Sequence, residues 1–95
     1  MSEVSSREQQ LARITMLRTK ARHLISESSQ WKMQMQALSA VRDLDEAIGW
    51  LQEQHVVYRP LLLQMAQTAV DFASTRLALI ERALADYGPD ATEIG

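Results

Sequence analysis

Between Pro60 and the pair Gly88-Pro89, the residues Leu63, Ala66, Val70, Ala73, Leu77, Ile80, Leu84 and Tyr87 recur in alternating steps of three and four. That spacing lays them along one seam of an α-helix; a strand, whose side chains alternate with a period of two, would scatter them over both faces. Pro60 lacks an amide hydrogen and disfavours helical angles at Arg59. It therefore ends any helix on its N-terminal side and suits the first turn of a new one. Gly88 supplies a left-handed cap, and Pro89 prevents continuation. A helix over 60–87 is roughly 40 Å long at about 1.5 Å per residue, and only other long helices can cover such a seam. The fold class is all-α.

A second apolar stripe runs beside the seam: Met65, Ala69, Phe72, Leu79 and Ala83, interrupted by Arg76. A helix with two apolar stripes touches two neighbours.

The rest of the chain supplies two further helices. Ser5-x-x-Glu8 and Ser6-x-x-Gln9 fit the capping box, so a first helix is expected over 7–26, with Leu11, Ile14, Leu17, Ala21, Leu24 and Ile25 on one face. The serines of Ser26-Glu27-Ser28-Ser29-Gln30 compete for backbone hydrogen bonds and mark a turn, although without Gly or Pro the first two helices could also run on as one rod. A second helix over 30–57 carries Trp31, Met35, Leu38, Val41, Leu44, Ile48 and Leu51, with Ala37, Ala40 and Ala47 widening the stripe. Gly49 interrupts it at a cost of about 1 kcal/mol against alanine, which suggests a close backbone approach or room for Trp50. The expected core sets Leu63, Val70, Leu77, Ile80 and Leu84 against Leu38, Val41, Leu44, Ile48 and Leu51.

Short links make successive helices antiparallel. The reading is one helical domain over 1–95, a bundle or coiled-coil-like hairpin completed by oligomerisation, with a frayed acidic tail over 89–95. A chain of 95 residues buries only about 60–65% of its unfolded surface, so a lone monomer would be modestly stable. Basic residues gather in the first segment (Arg7, Arg13, Arg18, Lys20, Arg22) and acidic ones in the last (Asp71, Glu81, Asp86, Asp90, Glu93), an asymmetry that can orient a partner or a neighbouring helix. There is no cysteine, which excludes disulfide and thiolate chemistry and suits the cytoplasm. The N-terminus is polar with no signal-peptide core behind it, and no apolar run approaches the ~18–20 residues of a membrane span. Export by a route that reads no cleavable signal stays open.

Chemistry is sparse. Neither His23 nor His55 belongs to a metal-binding spacing, and each reads as a helix-end residue half in water. Asp43, Asp45 and Glu46 fail the calcium-loop pattern at Ala47 and Ile48, and read as a solvated face or a docking patch for a basic partner. No G-x-S-x-G or glycine-rich phosphate loop occurs. Three-helix enzymes of the chorismate-mutase type gather arginines and acids around an internal pocket, and no such set is visible. Arg13, Arg18, Lys20 and Arg22 spread around their helix, so nucleic acid is not expected as a partner. No catalytic residue, cofactor or metal is assigned.

Gly49-Trp50 stands in the reverse order to the W-x-G of secreted helical hairpins, which excludes that family. The segment Gln30-Trp31-Lys32-Met33-Gln34-Met35-Gln36, followed by Ala37, Leu38 and Ala47-Ile48, resembles the small helical co-chaperones of type III secretion needles. That resemblance covers about a quarter of the chain and implies a chaperone that holds a partner helix.

The functional expectation is a non-enzymatic, cytoplasmic interaction module: a small assembly factor, adaptor or chaperone presenting a helix face to another protein. The alternative is a subunit that self-associates as a homodimer or larger array. The first helix is expected to be about two turns shorter than the third and so to leave part of the second stripe uncovered. The candidate interface is Met65, Phe72, Arg76 and Leu79 with Trp50, tryptophan being a common interface anchor.

Overall fold

The seam of the last helix is the spine of the molecule. In a computed structural model, which describes residues 3–53 and 59–93, the chain forms α1 (Glu3–Glu27), α2 (Trp31–Leu51) and α3 (Arg59–Tyr87), with no strand among the described residues. Ala66, Val70, Ala73, Leu77 and Ile80 are fully buried, and Leu63 and Leu84 are half-buried. The seam ends one step early, because Tyr87, the last residue of α3, is exposed. Ion pairs show the order of packing. Arg13 meets Asp71 at 2.8 Å and Lys20 meets Glu81 at 3.3 Å, so α1 runs parallel to α3. Arg18 meets Asp45 at 3.6 Å on the antiparallel α2. The bundle is a rod of 46 × 19 × 19 Å.

The helix boundaries differ from expectation at three places. α1 begins at Glu3, so Ser5 and Ser6 lie inside the helix and do not cap it. A serine cap contributes about 1 kcal/mol and does not forbid a further turn before it. α2 stops at Leu51, six residues short of the expected 57. Leu51 is the last buried residue of its stripe, and Gln52 and Glu53 are exposed, so carrying the helix through those two would bury no side chain. The rest of the expected overrun, 54–58, lies outside the described residues. Arg59 is the first residue of α3 rather than excluded from it, with Pro60 following in the first turn.

The α1–α2 break is real and narrow. Ser28 is buried, its Oγ lies 3.3 Å from the amide of Gln30, and its carbonyl accepts the Gln34 side-chain amide at 2.8 Å. Gly88 takes φ +78°, the left-handed conformation its position requires, and its amide donates to the Leu84 carbonyl at 2.8 Å. The tail beyond it is docked as far as it is described. The Ser29 amide donates to the Pro89 carbonyl at 2.9 Å, and Ser29 Oγ lies 2.9 Å from that carbonyl and 2.8 Å from the Asp90 carboxylate. Ala91 is buried. Residues 89–91 therefore staple the end of the bundle instead of fraying, while Thr92 and Glu93 are exposed.

The main correction concerns α2. Its buried stripe is Met33, Ala37, Ala40, Leu44, Ala47 and Leu51, a heptad of alternating fours and threes. Trp31, Met35 and Leu38 lie outside the core, with Leu38 47% exposed and Trp31 67% exposed. Val41 and Ile48 are half-buried at its edge. The small residues form the centre of the contact because alanines on both helices, met by Ala66 and Ala73 of α3, let the two backbones approach closely. Gly49 has no such role: a Cβ placed there meets no atom within 4 Å.

Candidate interaction groove

Two helices packed along an alanine-rich line leave a groove on each side. α1 fills one. Ile14, Ala21 and Leu24 of α1 are buried, Leu11, Leu17 and Ile25 pack around them, and the three ion pairs described above flank the contact. The basic bias of the first segment is thus used inside the molecule, against acids of α2 and α3.

The other groove is open. Its described lining comes from α2 and α3 alone, and it encloses about 480 Å³ between Asp43 and Trp50 on one wall and Leu61, Met65, Phe72 and Arg76 on the other. Asp43 and Trp50 are seven residues apart, two turns along one face of α2. Met65, Ala69, Phe72 and Arg76 follow the second stripe of α3, which the packing covers only in part: Ala69 is half-buried and Ala83, expected on the same stripe, is buried in the core. Phe72 is 66% exposed, Leu61 55% and Leu79 42%. α1, at 25 residues against 29 for α3, is one turn shorter rather than two, and what leaves the stripe open is α1's seat in the opposite groove.

Of the five candidate interface residues, Trp50, Met65, Phe72 and Arg76 line this groove together. Leu79 continues the stripe beyond the groove and is exposed. Sequence reasoning placed Asp43 on a solvated acidic face; it is half-buried in the groove wall, and its heptad spacing from Trp50 was the available signal. The other two members of that cluster stay at the surface in ion pairs, Asp45 with Arg18 and Glu46 with Arg42 at 4.0 Å.

Two charges stand in the groove, beside the neutral polar side chains of Gln64 and Thr68. Arg76, half-buried, donates from one guanidinium nitrogen to Ser39 Oγ at 2.8 Å and Gln36 Oε1 at 3.2 Å, both on α2. These bonds lay its apolar stem along the groove wall. Asp43 lies one turn beyond Ser39. Neither Asp43 nor Arg76 has an ion pair among the described residues. The site combines apolar and aromatic surface with one cation and one anion.

Elsewhere, Trp31, Met35 and Leu38 sit on the outer face of α2, with Lys32 Nζ 5.9 Å from the centre of the Trp31 ring. His23 is at the surface, 3.1 Å from Glu27, and His55 lies outside the described residues. Among the described residues no group of three or more His, Cys, Asp or Glu is placed to hold a metal ion, and no helix is long and apolar enough to cross a membrane. The chain matches no family model, and no curated protein or solved structure matches it significantly.

Proposed function

We propose that this chain is a non-enzymatic interaction module whose α2–α3 groove takes up an amphipathic helix, the work of a small adaptor, assembly factor or chaperone. The observation that carries the reading is the open groove itself. One side of the α2–α3 pair is sealed by a helix of the same chain, while the other exposes Met65 and Phe72 beside a half-buried Trp50. Contiguous apolar surface with aromatic anchors is what helix-in-groove recognition uses. A helix laid there would complete a four-helix bundle, each of its neighbours already presenting an apolar flank.

The test uses the chain's two tryptophans. In a Trp31→Phe background Trp50 is the sole reporter. Titration with a synthetic amphipathic helix, carrying leucine at the seam positions of its heptads, is expected to shift Trp50 emission to the blue and saturate. Phe72→Asp should abolish the shift while far-UV circular dichroism stays helical, because a carboxylate cannot be buried in that contact unpaired. No saturable shift at a concentration where the parent is monomeric overturns the reading. So does an outright loss of helix in Phe72→Asp, which would make Phe72 core.

A further inference from the structure

We propose that the occupant of the α2–α3 groove is a second copy of this chain, bound antiparallel about a two-fold axis at Phe72, with Asp43 and Arg76 of each copy pairing with the partner's Arg76 and Asp43. This rests on the reading of the groove as a helix-binding face and names its partner.

Charge carries the first part. The basic residues that seat α1 (Arg13, Arg18 and Lys20) each have a carboxylate partner in the chain. Asp43 and Arg76, half-buried in the groove, have none among the described residues. Covering either of them with apolar surface leaves a buried charge unpaired, which is costly. An occupant that brings a cation for Asp43 and an anion for Arg76 avoids that cost. The groove itself carries both. An isologous contact sets residue i against j and j against i, so a two-fold axis supplies each charge with its opposite without any further residue.

Spacing carries the second part. Met65, Phe72 and Leu79 are seven residues apart and symmetric about Phe72. Two α3 helices crossing antiparallel at Phe72 set Met65 against the partner's Leu79 and bring the two Phe72 rings together at the axis. Ser39 is hydrogen-bonded to Arg76, and α2 runs against α3, so Asp43, one turn further along α2, is level with Phe72. The partner's Arg76 then lies four residues from the axis, about 6 Å along it, within the reach of an arginine side chain. The arrangement also covers Leu79, which lies outside the groove and which a short helix in the groove would leave exposed. A net charge of −2 per chain opposes pairing only weakly.

The test is the oligomeric state of the full chain, followed by sedimentation velocity and light scattering from micromolar to submillimolar concentration. The parent should be a reversible dimer, and Phe72→Asp a monomer with unchanged circular dichroism. Asp43→Arg and Arg76→Asp should each weaken the dimer at least about tenfold, since each places like charges across the axis. Mixed in equal amounts they should form a heterodimer near parental affinity, because one copy then brings two cations and the other two anions. Should Arg76→Asp unfold, Arg76→Glu takes its place. A parent monomeric throughout, a dimer indifferent to Phe72→Asp, or a mixture that associates no better than its parts overturns the proposal. A monomeric parent whose Trp50 still responds to the model helix overturns the second copy alone; a monomer that does not respond overturns the helix-binding reading as well.

Discussion

The two grooves flanking α2 and α3 are built from the same two helices and end differently. Towards α1 the residues that α1 itself packs into the core are all aliphatic, and the charges on the rim pair across the contact. On the opposite side the walls carry Trp50 and Phe72, and the two charges they hold find no carboxylate or cation of their own. A surface meant only for water would tolerate the charges but not the rings. A surface meant only as core would tolerate the rings but not the charges. The two together are what the proposed docking of a helix would account for. Apolar periodicity reads alike on both sides of α2 and α3; the pairing of the polar residues beside it is what differs.

The strongest way to break this comparison is through stability. Leu77 lies in the seam shared by both grooves and Ile14 fills the closed one, and both are buried. Leu77→Ala and Ile14→Ala should each cost about 2–5 kcal/mol, the usual range for buried aliphatic side chains. Such a loss is a large share of the stability of a domain this small. Phe72→Ala, measured at a concentration where the chain is monomeric, should stay within about 0.5 kcal/mol of the parent, as exposed substitutions do. Denaturant titration of the three variants checks this. A loss at Phe72 comparable to that at Leu77 would place Phe72 in the core and erase the contrast between the grooves.

How much of this was legible in the sequence depends on residue size. The third helix could be read nearly residue by residue, since Val70, Leu77 and Ile80 are large, apolar and bracketed by Pro60 and Gly88-Pro89. The second helix misled because Leu38, Met35 and Trp31 give a stronger apolar signal than Ala37, Ala40 and Ala47, yet the alanines hold the contact. Close packing rewards absence of bulk, which periodicity of large side chains cannot register. Four of the five candidate interface residues share one groove because the second stripe was read as a stripe. Asp43 was missed since an acidic cluster looks uniform in sequence, while the fold turns one member inward and leaves Asp45 and Glu46 at the surface. The docking of Ser29 on Pro89 and Asp90 joins residues sixty apart and carries no local signal.

A smaller effect sharpens the account of the groove wall. Gly49 is next to Trp50, in the interior of α2, exposed and with no atom near its missing Cβ. Nothing in the packing requires glycine there. Gly49→Ala should therefore stabilise the chain by about 1 kcal/mol through helix propensity and reduced freedom of the unfolded state. The thermal midpoint should rise by several degrees for a domain of this size. A loss of stability would show that the helix needs the glycine, and that the wall carrying Trp50 is shaped by it.

The smallest expected effect tests what seals the closed groove. Arg13 and Asp71 join α1 to α3 at 2.8 Å, but their side chains remain 42% and 55% exposed. Water screens such a pair and holding it costs side-chain entropy, so a double-mutant cycle with Arg13→Ala and Asp71→Ala should give a coupling of only about 0.2–1 kcal/mol. The coupling should fade in molar salt, where the screening length falls to about 3 Å. On this view Ile14, Ala21 and Leu24 hold α1 in place and the ion pairs select which groove it enters, by setting Arg13, Arg18 and Lys20 against Asp71, Asp45 and Glu81. A coupling above about 2 kcal/mol that survives molar salt would invert that order. α1 would then be held by charge, and the unpaired Asp43 and Arg76 of the open groove would offer a partner the stronger kind of grip.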